Sequence, residues 1–318
     1  MTVAQAFQQF LGRIRPEDNI RKEYRAACRS LRQSLQDDGN ARSLVVTTFL
    51  HGSHRRATAV RPCGTRTCID FAVLLDLSPR RCAPGLAQDQ LRSLLKRHYP
   101  GAWSDRGRSL TVRTADIDIV LVVTTTAGRD VSIRSEASLD TLDESPASDA
   151  EVHAWQMDPL LVPNRVGSRW EQTHPLAQMA WTRAKDATCN GCFTPVVRAV
   201  RWWRQRRPDL PDLPSGYPLE RLVGDCCPDG IRSVAEGVAA TFAALGDKYA
   251  WHARTGRTPF LANVGVPDCN VLARVTPAGF AAFVELATAA ASVARRAFHR
   301  QDVAEWRALF GEAFPPPP

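Results

Sequence analysis

Residues 51 to 77 read HGSHRRATAVRPCGTRTCIDFAVLLDL. The run just before them, Ser43 to Leu50 (SLVVTTFL), is rich in β-branched residues and predicts a strand entering a tight turn at His51-Gly52. At such a turn the backbone amides and the Ser53 hydroxyl can meet phosphate oxygens, with His54, Arg55, Arg56 and Thr58 just beyond. A Gly-Ser dipeptide alone is a common loop, and its weight here comes from the strands on either side. Ile69 to Leu77 (IDFAVLLDL) predicts the second strand. Alternate strand residues face the same way, so Cys68 and Asp70 would present their side chains to one site while Ile69 packs behind.

Working outward, Leu110 to Thr125 contains DIDIVLVV and predicts another core strand, with Asp116 and Asp118 on one face. An aspartate inside an apolar run is costly to bury unless it is paired or binds a metal. Two such positions on one strand favour a site over the alternative of solvated strand ends. Leu86 to Tyr99 has helical spacing and is expected to cross one face of the sheet. Pro16 to Leu35 predicts a long helix with Ile20, Tyr24, Cys28, Leu31 and Leu35 on one face. From Trp155 the texture changes to helices separated by proline-rich joints: 194–206, 219–223, 233–245, 276–300 and 303–310. The expected class is α+β, with a catalytic lobe over residues 1–155 and a helical lobe over 156–318.

The 318 residues, 44% of them hydrophobic, suffice for a sizeable core. A formal net charge of +8 favours an anionic partner such as a nucleotide, without choosing among anions. Nine cysteines with no apolar leader after Met1 predict a cytoplasmic protein with mostly free thiols. No apolar run is expected to span a bilayer, so no membrane partner is expected.

The stretch HGSHRRATAVRP…CIDFAVLLDL resembles the Gly-Ser…Asp-x-Asp signature of the cyclic GMP-AMP synthase and oligoadenylate synthetase superfamily, and more specifically the bacterial CD-NTases (SMODS type) of anti-phage CBASS operons. WEQTHP, VVRAVRWWRQ, LPSGYPLERLV and WRALFGEAFP resemble later blocks of the same enzymes in the same order. The resemblance implies a polymerase-β-like nucleotidyltransferase palm, a mixed β-sheet with helices, followed by a helical C-terminal lobe. It implies synthesis of a cyclic di- or trinucleotide second messenger from ATP, GTP or other nucleoside triphosphates with Mg²⁺ or Mn²⁺. A product-activated effector protein and operon-encoded regulators would be its partners. Residue by residue, it gives Gly52 and Ser53 to the triphosphate, Asp70 to metal binding, and Asp118 to the third carboxylate, with Asp116 in reserve. Arg201 stands where the family usually has a triphosphate-contacting lysine. Ser215 and Tyr217 stand near the family's Ser-Tyr pair, separated here by Gly216, with Tyr217 expected to stack on a nucleobase.

Cys68 stands where the first metal-binding aspartate is expected. A thiol is a soft ligand poorly suited to magnesium. Three readings stay open: an inactivating replacement, a homologue that binds nucleotides without turning them over, or an enzyme in which Asp116 supplies the missing ligand. A nucleotidyltransferase acting on RNA or protein is a further alternative. Zinc at Cys189, Cys192, Cys226 and Cys227 is also open, although their spacing matches no common ribbon and helical-lobe thiols are often core residues. His51, His54 and His174 flank the expected site as surface or supporting groups. Trp202-Trp203 beside arginines hints at a nucleic-acid platform, but core packing is the stronger reading, so no firm nucleic-acid partner is expected.

Overall fold

The β-branched run folds as β1 (Val45–Leu50) and pairs antiparallel with β2 (Thr67–Leu75). In this computed structural model, which describes residues 1–62, 66–107, 109–126, 158–164, 168–210 and 212–317, β2 lies parallel to β5 (Ile117–Thr126). The expected single strand over 110–125 is instead two: β4 (Leu110–Arg113) turns back antiparallel onto β5, and β3 (Trp103–Asp105) pairs with β4. The polar stretch Thr114 to Asp116 makes that turn. The sheet order is therefore β1-β2-β5-β4-β3, mixed in direction, with β6 (Leu160–Pro163) and β7 (Trp170–Thr173) extending it from the end of β5.

One face of the sheet is closed by two helices. Tyr24, Cys28, Leu31 and Leu35 of α2 (Asp18–Asp37) and Leu91, Leu94 and Leu95 of α5 (Pro84–His98) share one core with Ile69, Phe71, Ile117 and Ile119. The short helices α3 (Gly39–Leu44) and α4 (Gly52–Arg55) flank β1 in sequence. Because strand side chains alternate, burying Ile69 and Ile119 beneath the helices turns Cys68, Asp70 and Asp118 to the opposite face. That face looks toward the helical half.

The helical half comprises α6 (Pro175–Thr188), α7 (Phe193–Gln205), α8 (Gly216–Cys226), α9 (Val234–Arg254), α10 (Pro277–Arg300) and α11 (Val303–Phe310), with a small hairpin of β8 (Ala262–Asn263) and β9 (Val266–Asn270). The chain's first helix, α1 (Val3–Ile14), which helical spacing from Pro16 onward does not announce, packs here as well. Its Phe7 ring sits 4.9 Å from Trp306 and its Phe10 ring 4.7 Å from Phe310, so the two ends of the chain share one aromatic cluster. Thr2 and Gln5 close a reciprocal capping box at its start. The expected lobe division at residue 155 falls within 127–157, outside the described residues.

One expectation is corrected. Among the described residues α10 is long and apolar enough to cross a bilayer, with a mean hydropathy of 1.4 over its window. Its Phe280, Phe283, Val284, Ala287 and Ala294 are nonetheless buried against the rest of the helical core, which explains their apolarity. Trp202 and Trp203 are both buried, Trp203 against Phe242 at 4.8 Å, and Trp202 donates through Nε1 to the Phe310 carbonyl. They form no stacking platform.

Candidate active site

Gly52 begins a single helical turn directly after β1 and has a φ of 71°. A side chain there is excluded twice over: the backbone is left-handed, and a Cβ would stand 2.1 Å from Oδ2 of Asp70. The Gly-Ser turn and the Asp70 carboxylate therefore occupy one point in space. The backbone amide of His51 donates to the Asp70 carbonyl at 3.1 Å, continuing the ladder of β1 and β2 into the site. Ser53 anchors the turn from below, its carbonyl accepting from the amides of Thr58 and Ala59 at 2.9 and 3.2 Å.

Across the parallel pair, Cys68 lies opposite Asp118 in register, and Asp70 is two residues further along the same face. These three residues lie on one face of the sheet. Asp116 does not: it sits exposed in the bend before β5, not on the strand, and Glu23 accepts its backbone amide at 3.3 Å. Asp118 is buried and already paired. Arg66 donates to it through Nε at 2.7 Å, and the other guanidinium nitrogens of Arg66 donate to the carbonyls of Thr114, Ala115 and Ile117, each at 2.7 Å. A fully satisfied guanidinium thus neutralises one of the two carboxylates. Cys68 is exposed, yet partial desolvation, then the neighbouring Asp118, pushes its thiol above its usual pKa, so it stays protonated near neutral pH.

A second cluster lies around Glu220. Glu220 of α8 is 1% exposed. It accepts from Arg56 at 2.8 and 3.2 Å, from Thr58 Oγ1 at 2.8 Å and from Arg201 of α7 at 2.5 Å. One buried carboxylate therefore ties the loop after the Gly-Ser turn to α7 and α8 of the helical half. Burial lowers the Arg201 pKa while Glu220 opposes that shift. The Arg56 guanidinium also lies 5.0 Å from the centre of the Tyr217 ring, and burial pushes the Tyr217 phenol up to about 12. Ser215 is exposed immediately before α8, and its side chain makes no capping hydrogen bond to that helix.

Glu220 and Arg66 are functional candidates that motif reading missed. Glu220 carried a signal: it falls on the apolar stripe of α8 with Val223 and Gly224, where a carboxylate demands a partner. Arg66 carried none, because its meaning depends on the register of β2 against β5.

The metal expectations divide. Among the described residues no group of three or more His, Cys, Asp or Glu side chains is arranged to hold a metal ion. A structural zinc needs about four protein ligands, so the zinc alternative is not supported. Cys226 and Cys227 are buried thiols pushed up to about 12 by burial, and Cys189 donates to the Pro228 carbonyl at 3.5 Å. Magnesium asks less of the protein, commonly one or two carboxylates plus substrate phosphates. Asp70 and Asp118 suit that requirement chemically, and Cys68 does not.

With this geometry in hand, the relatives are informative. Residues 1–138 match the family described as the Second Messenger Oligonucleotide or Dinucleotide Synthetase domain. A protein from Enterobacter hormaechei subsp. hoffmannii named cyclic AMP-AMP-GMP synthase is 34% identical, with 100% of this chain and 93% of that protein covered. The cyclic AMP-AMP-AMP synthase of an Acinetobacter species is 27% identical over 99% of this chain and 86% of its own. The fold is also that of the Bradyrhizobium diazoefficiens CD-NTase CdnG, solved with GTP, at a TM-score of 0.73 and 12% identity over 96% of this chain and 94% of that one. The chain belongs to the CD-NTases, the second messenger oligonucleotide or dinucleotide synthetase family.

Proposed function

We propose that this protein is a cyclic oligonucleotide synthase of anti-phage defence whose nucleotide-holding half is complete and whose metal-holding half is weakened by Cys68. The observation that carries the reading is the meeting of Gly52 with Asp70, where an added Cβ would stand 2.1 Å from the carboxylate. A triphosphate on the Gly-Ser turn then has its reacting phosphates beside the carboxylate edge of the sheet. Arg201, held by Glu220, supplies a planar fork of donors on the far side. Tyr217, with Arg56 against its ring, offers its remaining surface to a base.

In the reaction, a ribose hydroxyl of one nucleotide forms a bond to the α-phosphorus of another, and the bond from that phosphorus to the β-phosphate bridge breaks, releasing pyrophosphate. The hydroxyl proton passes to a carboxylate, for which Asp118 is placed once Arg66 withdraws. Asp70 and Asp118 would hold divalent ions, which would supply charge neutralisation and orientation. Repetition closes a ring, and the products named for the two relatives favour a trinucleotide here. The substrates are nucleoside triphosphates, the product's target is a separate effector protein, operon-encoded regulators are further partners, and the setting is cytoplasmic.

A specific observation also favours a second reading, a nucleotide binder with little turnover. The first metal ligand is a protonated thiol and the third is occupied by Arg66. The test is incubation with four labelled nucleoside triphosphates and Mg²⁺ or Mn²⁺, then phosphatase and chromatography. Small phosphatase-resistant products support the synthase. Nucleotide binding without product supports the binder, and label carried on RNA or protein would contradict both.

A further inference from the structure

Behind the Gly-Ser turn lies a cavity of about 250 Å³ at the seam between the two halves. Its polar lining is Arg15, Arg21, Tyr24, His54, Thr194 and Arg198, drawn from the joint after α1, from α2, from α4 and from α7. Three guanidinium groups thus converge where the mechanism above uses none of them. Arg15 and Arg21 pair with Asp18, at 3.4 and 3.6 Å, a carboxylate that is 80% exposed, and the charge of Asp70 acts on His54. Asp186, the acidic group that acts on Arg198, already accepts the Thr194 amide at 2.8 Å. Arg198 is the informative residue: its Nε is buried with no hydrogen-bond partner, and burial followed by the charge of Arg15 lowers its pKa. A buried, unpaired guanidinium donor is costly to keep. Ala57, at the cavity edge, adopts a φ of 58°, a left-handed conformation that a non-glycine residue holds only where its surroundings impose it.

We propose that this cavity is a second anion site, distinct from the triphosphate position on the palm, that takes a free di- or triphosphate group. Forked guanidinium donors match phosphate oxygens bidentately. The volume lies just under the roughly 300 Å³ at which sites for whole drug-sized ligands begin, so a pyrophosphate-sized anion fills it better than an entire nucleotide. His54 lies edge-on to Tyr24 at 5.6 Å and is the residue directly after Ser53 on α4. Burial holds His54 down to about 4, so it is neutral when the cavity is empty of charge. An anion seated there bears on the same one-turn helix that presents Ser53, which gives the site a route to the palm.

The test is calorimetric titration of inorganic pyrophosphate, without divalent metal, into the full chain whose palm is first saturated with a non-hydrolysable ATP analogue. Binding should persist, and Arg198→Gln and Arg21→Gln should each weaken it by about tenfold or more, whereas Arg92→Gln, whose partners Asp89 and Asp105 lie outside the cavity lining, should leave it unchanged. Arg198→Lys keeps the charge without the fork and should fall between, with its thermal unfolding midpoint compared to guard against misfolding. Binding indifferent to both Arg198 and Arg21, binding weakened as much by Arg92→Gln, or no binding at millimolar pyrophosphate would overturn the site. So would Arg198-dependent binding of duplex DNA without any of pyrophosphate. Failure of the analogue to bind would count against the palm reading alone, because the arginine variants still report on the cavity.

Discussion

The two sides of the cleft are built to different standards. On the phosphate side, Gly52, Ser53, Arg56, Thr58, Arg201 and Glu220 form a closed network in which the central carboxylate accepts from three side chains. On the metal side, a thiol replaces one expected carboxylate and an arginine occupies another. Under the proposed function, holding a nucleotide and turning it over are separable. The first rests on cross-lobe ion pairs and a glycine turn, and the second on hard oxygen ligands along one sheet edge.

That contrast can be broken most forcefully at Glu220. Glu220→Ala would leave Arg56 and Arg201 as buried charges without their shared acceptor, and loss of one partner from such a buried network costs about 3–5 kcal/mol. Chemical denaturation should show that loss, and Glu220→Gln, which keeps shape and part of the hydrogen bonding, should cost less. At the junction of the two sides, Gly52→Ala should cost roughly 1–3 kcal/mol from its left-handed backbone. It should also abolish nucleotide binding, since the new Cβ strikes Asp70. An unchanged melting curve would show that the turn relaxes freely.

The smallest effect is expected on the metal side. Arg66→Gln removes a partly exposed ion pair, worth at most about 1 kcal/mol of stability. It also removes a cation that competes for Asp118. Mn²⁺ binding followed by electron paramagnetic resonance should therefore tighten while stability falls slightly. Weaker Mn²⁺ binding would mean that Arg66 orients Asp118 for the metal and does not compete with it.

Much of this was legible before any coordinates. β1 and β2, α2, α5 and the long helices of the second half lie where periodicity places them, because each buries a continuous apolar stripe or run. The meeting of Gly52 with Asp70, and of Cys68 with Asp118, follows from motif spacing once the strands are placed. Other features needed the third dimension. The helix at Val3–Ile14 was marked by Thr2 and Gln5 and by Phe7 and Phe10, yet its partner cluster lies some three hundred residues away at Trp306 and Phe310. Asp116 seemed to share a strand with Asp118 because alternation continues on paper, whereas the chain bends at Ala115 and Asp116 before pairing begins. Arg66 became meaningful only through the register that sets Cys68 beside Asp118.

The most direct test of the division is a paired measurement on this chain and Cys68→Asp: affinity for a non-hydrolysable ATP analogue without metal, and rate of cyclic product formation with Mg²⁺. The account predicts affinities within about twofold, since position 68 touches no part of the Glu220 network, and a rate at least about a hundredfold higher in Cys68→Asp, the scale on which transition-state charge stabilisation acts. Equal rates in the two proteins, or an affinity that rises in step with the rate, would contradict it.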